Sequence, residues 1–361
     1  MLSALLPHNF CIRNVLKTRK PPSPAPTDLS SQSEIDARLG RIIHLLMEHA
    51  TVVVSGTKIA QEISSSRSEV WRLIQQLRAM GVDVAGHPAT GYQLKSVPDL
   101  LLPEILAPML RGTIFADHIR HFYKIGSTNT TAMDAAAAGA PEGSVFLAEE
   151  QTAGRGRGSH TWDSARSAGI YCSVILRPAL PPSDVLVLTL AAGLAVAAAI
   201  DEACGIKVDL KWPNDVLIGD KKVCGILTEM NAEATRVRHI VVGVGVNVNQ
   251  ASFPRELEAA ALSLRLAAGS ERSRVQLTAA LLKSLDHEYR WLLETPDAHR
   301  SILRRFTGRS SWVRDASVRV EELGAVVEGI TQGLDDRGFL RLRTPDGVKT
   351  ILSGTIRKAG I

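Results

Sequence analysis

Residues 151–162 read QTAGRGRGSHTW, and in them Arg155 and Arg157 stand either side of Gly156, directly after the strand-like run SVFLAEE at 144–150. A guanidinium offers a planar fork of donors that matches carboxylate and phosphate oxygens. Glycine has no Cβ, so a backbone rich in it can approach a ligand closely or take up positive φ, at an entropic cost. The combination reads as a loop that cradles an anion. It lacks the Gly-Lys-Ser/Thr of a Walker A loop, and its glycine spacing is not that of a dinucleotide fingerprint.

Four other short segments have the same character: GSTN at 126–129, KWPNDV at 211–216, KKVCGIL at 221–227 and GVGVNVN at 243–249. Each is polar or glycine-rich at the end of an apolar run, where a sheet can gather side chains around one pocket. Lys222 would add a third cation to Arg155 and Arg157. Its plainer reading is a solvated lysine in a hairpin turn, which is how its neighbour Lys221 reads. Ser127, Thr128 and Asn129 could offer donors and acceptors to an uncharged ligand, or form a turn and helix N-cap. Trp162 is a pocket aromatic or a core residue. Asp215, presented after Pro213 at a strand end, is placed to take a proton from an amine or to cap the turn. Gly243 and Gly245 admit either a ligand or a tightly packed neighbour.

Taken in this order, the motifs resemble those of the biotin protein ligases, and the resemblance covers about residues 38 to 358. It implies that ATP and biotin, with Mg²⁺, give biotinyl-adenylate and pyrophosphate, and that the biotinyl group passes to a lysine of a biotin carboxyl carrier protein. It implies catalytic roles for Arg155 and Lys222, beside which Asp215 is the candidate to orient or deprotonate the acceptor lysine, and a biotin site of Ser127, Thr128, Asn129, Gln151, Arg155, Gly156, Arg157 and Lys222. It places Gly154, Arg157, Trp162, Asn214 and Asn247 at the adenylate. Mg²⁺ is expected with ATP, but no carboxylate cluster in the sequence announces dedicated protein ligands, and none is assigned. Two departures stand out. Gly158, Ser159 and His160 follow Arg157 where many members carry more basic residues, and Leu262 in AALSLRL replaces a more usual Thr in the adenine-covering stretch at 250–266. The loop's dimer contacts and the ordering around adenine are expected to differ accordingly.

The elements that must position these residues follow from periodicity. Ile35, Leu39, Ile42, Ile43 and Leu46 recur at helical spacing through about His49, and a short helix follows at 57–63. In SSSRSEVWRLIQQLRAMG, Ser66 and Glu69 have capping-box spacing, Val70, Ile74 and Leu77 form an inward stripe, and Gly81 closes the helix. VDV and YQL then flank the turn AGHPATG. Helix, helix, turn, helix, hairpin is the order of a winged helix-turn-helix, whose third helix enters the major groove with its early residues toward bases and phosphates. Arg67, Ser68 and Arg72 are the candidates for operator DNA; a winged helix kept for protein contacts is the plainer alternative.

From residue 99 to about 305 the runs YKI, SVFLAEE, IYCSVILR, VDLKW, VLI, VCGILTEM and HIVVGVGVNV alternate with helices at 131–138, 184–203 and 275–294. They predict a mixed sheet covered by helices, class II synthetase-like by the resemblance. After 311 the short alternating strands SVRVEE, AVVEGITQ, FLRLRT and VKTILSGTI predict an SH3-like β-barrel. The fold class is therefore α+β, divided into a leader and linker at 1–34, a DNA-binding unit at 35–98, a catalytic unit at 99–305 and a C-terminal unit at 306–361.

Composition sets the limits. The chain has 361 residues, enough for several cores, is 45% apolar, and carries a net charge of +5 that favours anionic partners without naming one. Cys11, Cys172, Cys204 and Cys224 form no CxxC pair, which argues against a zinc knuckle or disulfide framework and for a reducing cytoplasm. The apolar run 185–200 falls short of the roughly 20 residues of a membrane span and reads as a buried helix, so no membrane association is expected. Residues 1–26 contain no acid but include Arg13, Lys17, Arg19 and Lys20, as a transit peptide would; a disordered leader is the simpler reading. The resemblance further implies a homodimer that binds operator DNA when the adenylate is present. The alternatives are a lipoate-type ligase of the same fold, whose different Arg-Arg and His-Asp pattern is missing here, and a winged-helix biotin sensor without turnover.

Overall fold

The computed structural model describes residues 26–359 except 88, 97–98, 159 and 323–324. The expected leader thus lies mostly outside the described residues. Helix α1 (Pro26–Glu48) begins well before Ile35, where the apolar stripe starts, because residues N-terminal to that stripe continue the helix. Helices α2 (Gly56–Glu62) and α3 (Arg67–Ala79) and the hairpin β1 (Val84–His87) and β2 (Gly91–Leu94) complete a winged helix-turn-helix. Its core is Leu39, Ile42, Ile43, Leu46, Ile59, Val70, Leu73, Ile74 and Leu77, all buried. Ser66 caps α3 by accepting from the Glu69 backbone N–H at 3.2 Å. Glu69 does not return the bond: its carboxylate accepts from Arg72 Nε and Nη2 at 2.8 and 2.6 Å.

The central unit holds α4 (Pro103–Met109), β3 (Ile119–Phe122), α5 (Thr128–Ala137), β4 (Val145–Ala148), β5 (Gly169–Leu176), α6 (Val185–Cys204), β6 (Asp209–Lys211), β7 (Asp215–Ile218), β8 (Lys221–Ala232), β9 (Val237–Asn247), α7 (Leu264–Ala268), α8 (Arg274–Glu294) and α9 (Ala298–Gly308). Its seven strands lie in the order β3-β4-β5-β9-β8-β7-β6, with β3 and β4 parallel and the remaining pairs antiparallel. The first strand is IRHF rather than YKI; Ile125 makes only an isolated bridge to Gln151, which starts the ligand loop beside the sheet. Helix α6 is apolar and long enough to cross a membrane by composition, yet 83% of that window is buried against α8, α9 and the sheet. It is the core helix of this unit.

In the C-terminal unit, β10 (Arg314–Glu322), β11 (Ala325–Leu334), β12 (Leu340–Thr344), β13 (Gly347–Ile351) and β14 (Thr355–Lys358) form an antiparallel sheet ordered β13-β12-β11-β10-β14. The run VKTILSGTI is thus two strands on opposite edges. Residues 352–354 cross between them and come to lie over the central unit. The two units are tied by a bond from Trp212 Nε1 to the Gly338 carbonyl at 2.8 Å and by the Lys358–Asp220 ion pair at 2.6 Å.

Candidate functional site

The 151–162 segment is a narrow hairpin laid over the sheet. Arg155 and Thr161 form an antiparallel bridge, and the Gly156 and Trp162 N–H groups donate to the His160 and Gly154 carbonyls at 2.8 and 2.9 Å. Gly154 is buried beneath this hairpin, where a Cβ would sit 2.3 Å from the Trp162 carbonyl oxygen. Its glycine is required by backbone packing, and it carries the loop rather than facing outward.

The sheet below supplies the floor. Gly225 and Gly245 are register partners on β8 and β9, and the Trp162 indole rests on them; a Cβ at Gly245 would meet the ring at 2.6 Å. The indole Nε1 is buried without a hydrogen-bond partner among the described residues, and Lys222 Nζ stands 5.4 Å from the ring centroid. Asn129 uses Gly243 in the same way, its Oδ1 lying 2.1 Å from where a Cβ would be. The glycines of GVGVNVN are therefore spaces filled by two site side chains.

One cavity of ≈ 450 Å³ is lined by Ser127, Thr128, Asn129, Gln151, Ser173, Arg155, Gly156, Arg157, Trp162, Asn214 and Lys222 among others. At its inner end the polar groups orient one another. Ser127 is the N-cap of α5 as well as a lining residue. Thr128 N–H donates to Gln151 Oε1 at 2.8 Å, Gln151 Nε2 to Ser164 Oγ at 2.9 Å, and Ser173 Oγ to Asn129 Oδ1 at 2.8 Å. Such a fixed set of amide and hydroxyl groups suits an uncharged polar ring.

Charge collects at the outer end. Arg155 is gripped by both oxygens of Glu229, at 2.8 and 2.9 Å, and Glu229 Oε2 also accepts from Asn129 Nδ2 at 2.9 Å. Lys222 Nζ pairs with Asp215 Oδ1 at 2.6 Å. Arg157 donates to the Gly354 carbonyl of the C-terminal unit; burial pushes its pKa down, opposed by the Asp215 charge. Asn214, in the turn before β7, is fastened to β8 by a pair of bonds: its Nδ2 donates to the Ile226 carbonyl at 2.8 Å, and its own carbonyl accepts from the Ile226 N–H at 2.9 Å. Sequence reasoning did not find Glu229. Its signal is the alternation Gly225, Leu227, Glu229, which puts a carboxylate on the face that the glycines keep open.

A second cavity, of ≈ 560 Å³, shares Trp162 and Lys222 with the first and is otherwise lined mainly by Thr161, Asn247, Phe253, Leu257, Ala260 and Ala261. The 250–266 stretch is bound to β8: Lys222 N–H donates to Ala260 O at 2.8 Å, and Leu262 N–H to Lys222 O at 3.0 Å. Lys221 is not a free turn lysine, since its Nζ donates to the Glu258 carbonyl at 3.0 Å and pins the same stretch. Asn247 is buried, with its Nδ2 3.4 Å from the Lys222 carbonyl. Trp162, Phe253, Leu257, Ala260 and Ala261 give this cavity an apolar side that suits an aromatic base, with Asp163 also at its edge.

On the winged helix, Arg67 and Ser68 face a groove between α3 and the β1–β2 hairpin, together with Trp71 and Gln75. Arg72, one turn beyond Ser68, is not among the residues that line this groove, and its fork is taken up by Glu69. Of the three candidates the sequence grouped, Arg67 and Ser68 therefore line the groove, while Arg72 is engaged by its own helix neighbour.

Comparison with known proteins follows the same three-part order. The model of an HTH domain matches residues 38–93, that of the biotin/lipoate A/B protein ligase family residues 121–247, and that of the biotin protein ligase C terminal domain residues 316–358. The bifunctional ligase/repressor BirA of Bacillus subtilis (strain 168) is 37% identical over 322 residues, covering 87% of this chain and 97% of that protein. Its namesake from Escherichia coli (strain K12) is 28% identical over 84% of this chain and 92% of its own length. The biotin protein ligase from Aquifex aeolicus, solved in complex with biotin and ATP, superimposes with a TM-score of 0.59 at 27% identity, covering 67% of this chain and 100% of that one. With the three domains matched in order and a relative 37% identical along nearly its whole length, the chain belongs to the biotin protein ligase family, in its bifunctional ligase/repressor branch.

Proposed function

We propose that this protein activates the biotin carboxylate with ATP and passes the biotinyl group to one lysine of a biotin carboxyl carrier protein. The observation that carries the reading is the Trp162 indole, common wall of a polar cavity and an apolar one, with Lys222 beside it and Arg155 and Arg157 at the rim of the first. The polar inner end takes the ureido ring and the apolar cavity takes adenine. A biotin carboxylate oxygen then lies where it can attack the α-phosphorus, the bond to pyrophosphate breaking as the acyl phosphate bond forms. Arg155, Arg157 and Lys222 offset the repulsion between the two anions and stabilise charge developing at phosphorus. Mg²⁺ would be held largely by the ATP phosphates and water, and would supply further positive charge at the phosphates.

In the second step the acceptor amine attacks the acyl carbon and AMP leaves. A free lysine, with a pKa of about 10.4, must shed a proton first. Asp215 is the acceptor for that proton once the adenylate phosphate has drawn Lys222 away from it. The cavity of ≈ 690 Å³ bounded by the 155–158 loop, β8 and Leu352–Ser353 gives the carrier lysine a way in.

The adenylate-bound protein is proposed to form a homodimer whose paired winged helices hold two operator half-sites in the cytoplasm. Labelled biotin incubated with ATP, Mg²⁺, the protein and a purified carrier domain tests the enzyme: transfer confined to the carrier lysine supports it, and adenylate without transfer points to a sensor. Lys222→Ala should lower kcat on the order of 10²–10³-fold.

A further inference from the structure

Trp71 is 59% exposed, the most exposed large apolar side chain among the described residues, and it projects from α3 while Val70, Leu73, Ile74 and Leu77 already fill the core beneath that helix. Folding therefore does not need it. Arg67, Trp71 and Gln75 succeed one another at one residue per turn, so they form a single stripe with Ser68 at its flank. The stripe borders an open groove closed on its far side by His87 and Thr90 of the wing. Neither Arg67 nor Gln75 makes a side-chain hydrogen bond within the described residues, whereas Arg72 is occupied by Glu69 and Arg78 by the Val84 carbonyl at 2.9 and 2.8 Å. The available donors and the exposed indole thus share one face.

We infer that Trp71 reads thymine in the major groove of operator DNA, packing its indole against the C5-methyl group, with Gln75 on the neighbouring adenine and Arg67 on the phosphates. This rests on the proposal that the winged helix binds an operator. Double-stranded DNA is the occupant that matches all the groups present. The third helix of this unit is the element that enters the major groove, the thymine methyl is the apolar feature displayed there, and a glutamine amide pairs with adenine N6 and N7. An arginine without a partner adds a phosphate contact. A protein partner would be matched by an apolar patch around the indole, and the neighbours here are Arg67, Ser68 and Gln75.

The test uses the full chain with biotin and ATP to select duplexes from a random-sequence pool, then re-measures the best duplex with each thymine replaced in turn by deoxyuridine, which removes only the methyl. In each half-site one such replacement should weaken the wild-type protein roughly tenfold. Trp71→Ala should weaken binding by a similar factor and become indifferent to that replacement, while Trp71→Phe retains part of both effects. Biotin transfer by the variants should be unchanged, which certifies their folding. Full sensitivity to deoxyuridine in Trp71→Ala, or unaltered affinity, would overturn the inference and leave operator binding intact. Failure of the wild-type protein to enrich any sequence would sink operator binding and the inference with it.

Discussion

Arg274 Nη1 meets Glu149 Oε2 at 2.7 Å, with both side chains almost wholly out of water. Glu149 also accepts from the Leu101 N–H at 3.0 Å and from Ser167 Oγ at 2.9 Å, and lies 3.1 Å from His121 Nε2. Arg274 in turn reaches Asp99, whose carboxylate also accepts from the first N–H groups of α8. One buried carboxylate therefore joins the chain leaving the wing to the root of the 151–162 hairpin. Burial alone would push its pKa up, but the His121 hydrogen bond, the Arg274 charge, the His121 charge and the Leu101 N–H together hold it at about 2.

A depressed carboxylate stabilises the fold above its unfolded pKa and loses that stabilisation as pH falls toward its folded value. For Glu149 the window runs from about 4.5 down to about 2, and the contribution is on the order of 3 kcal/mol. Urea unfolding between pH 6 and pH 3 should show wild type losing stability with a slope that Glu149→Gln lacks. Parallel pH profiles for the two proteins would refute the assignment.

Glu229 holds Arg155 and Asn129 with three hydrogen bonds from a side chain that is 3% exposed. Glu229→Ala leaves a guanidinium and an amide without their partner, so the KM for biotin should rise about tenfold with a smaller change in kcat. Glu229→Gln, which can keep the Asn129 bond, should fall between. Steady-state kinetics at saturating ATP separate the two parameters.

Gly245→Ala drives a methyl into the Trp162 ring, at 2.6 Å from its nearest atom. The indole must move, and overpacking of this kind weakens what depends on it by about tenfold or more. Titration calorimetry should find biotin and ATP both weakened, with circular dichroism unchanged. Loss of one ligand alone would mean that the ring does not serve both cavities.

Arg67 and Arg72 should separate on DNA. Arg67→Ala should weaken binding across sequences and lower the salt dependence by about one phosphate contact. Arg72→Ala should have little effect on either, because its fork is already bound to Glu69. Filter binding at several salt concentrations distinguishes them; equal losses would reinstate Arg72 as a contact.

Much of this organisation was legible in the chain. The loop, the strand-end motifs and the capping residues Ser66 and Ser127 depend on local residue types, and local physics placed them. What escaped depended on register or on which side of a helix a residue falls. Glu229 looks like a solvent-facing strand residue until β8 is paired with β9, when it shares a face with Gly225 and Leu227. Trp71 and Arg72 are sequence neighbours that helical geometry turns to different sides. Leu352 and Ser353 enter the site only because β14 crosses to the opposite edge of its sheet. The loop glycines also differ in purpose: Gly158 alone of the three takes a positive φ, +67°, while Gly154 is there for close packing.

The shared indole wall has a thermodynamic corollary. Trp162 belongs to both cavities, so any reorientation that the first ligand imposes on the ring alters the affinity for the second. Linkage is reciprocal: the factor by which one occupant tightens or loosens the other is the same whichever arrives first. A single side chain thereby makes the two binding equilibria one function of both concentrations, and the population of doubly filled protein responds to the scarcer ligand.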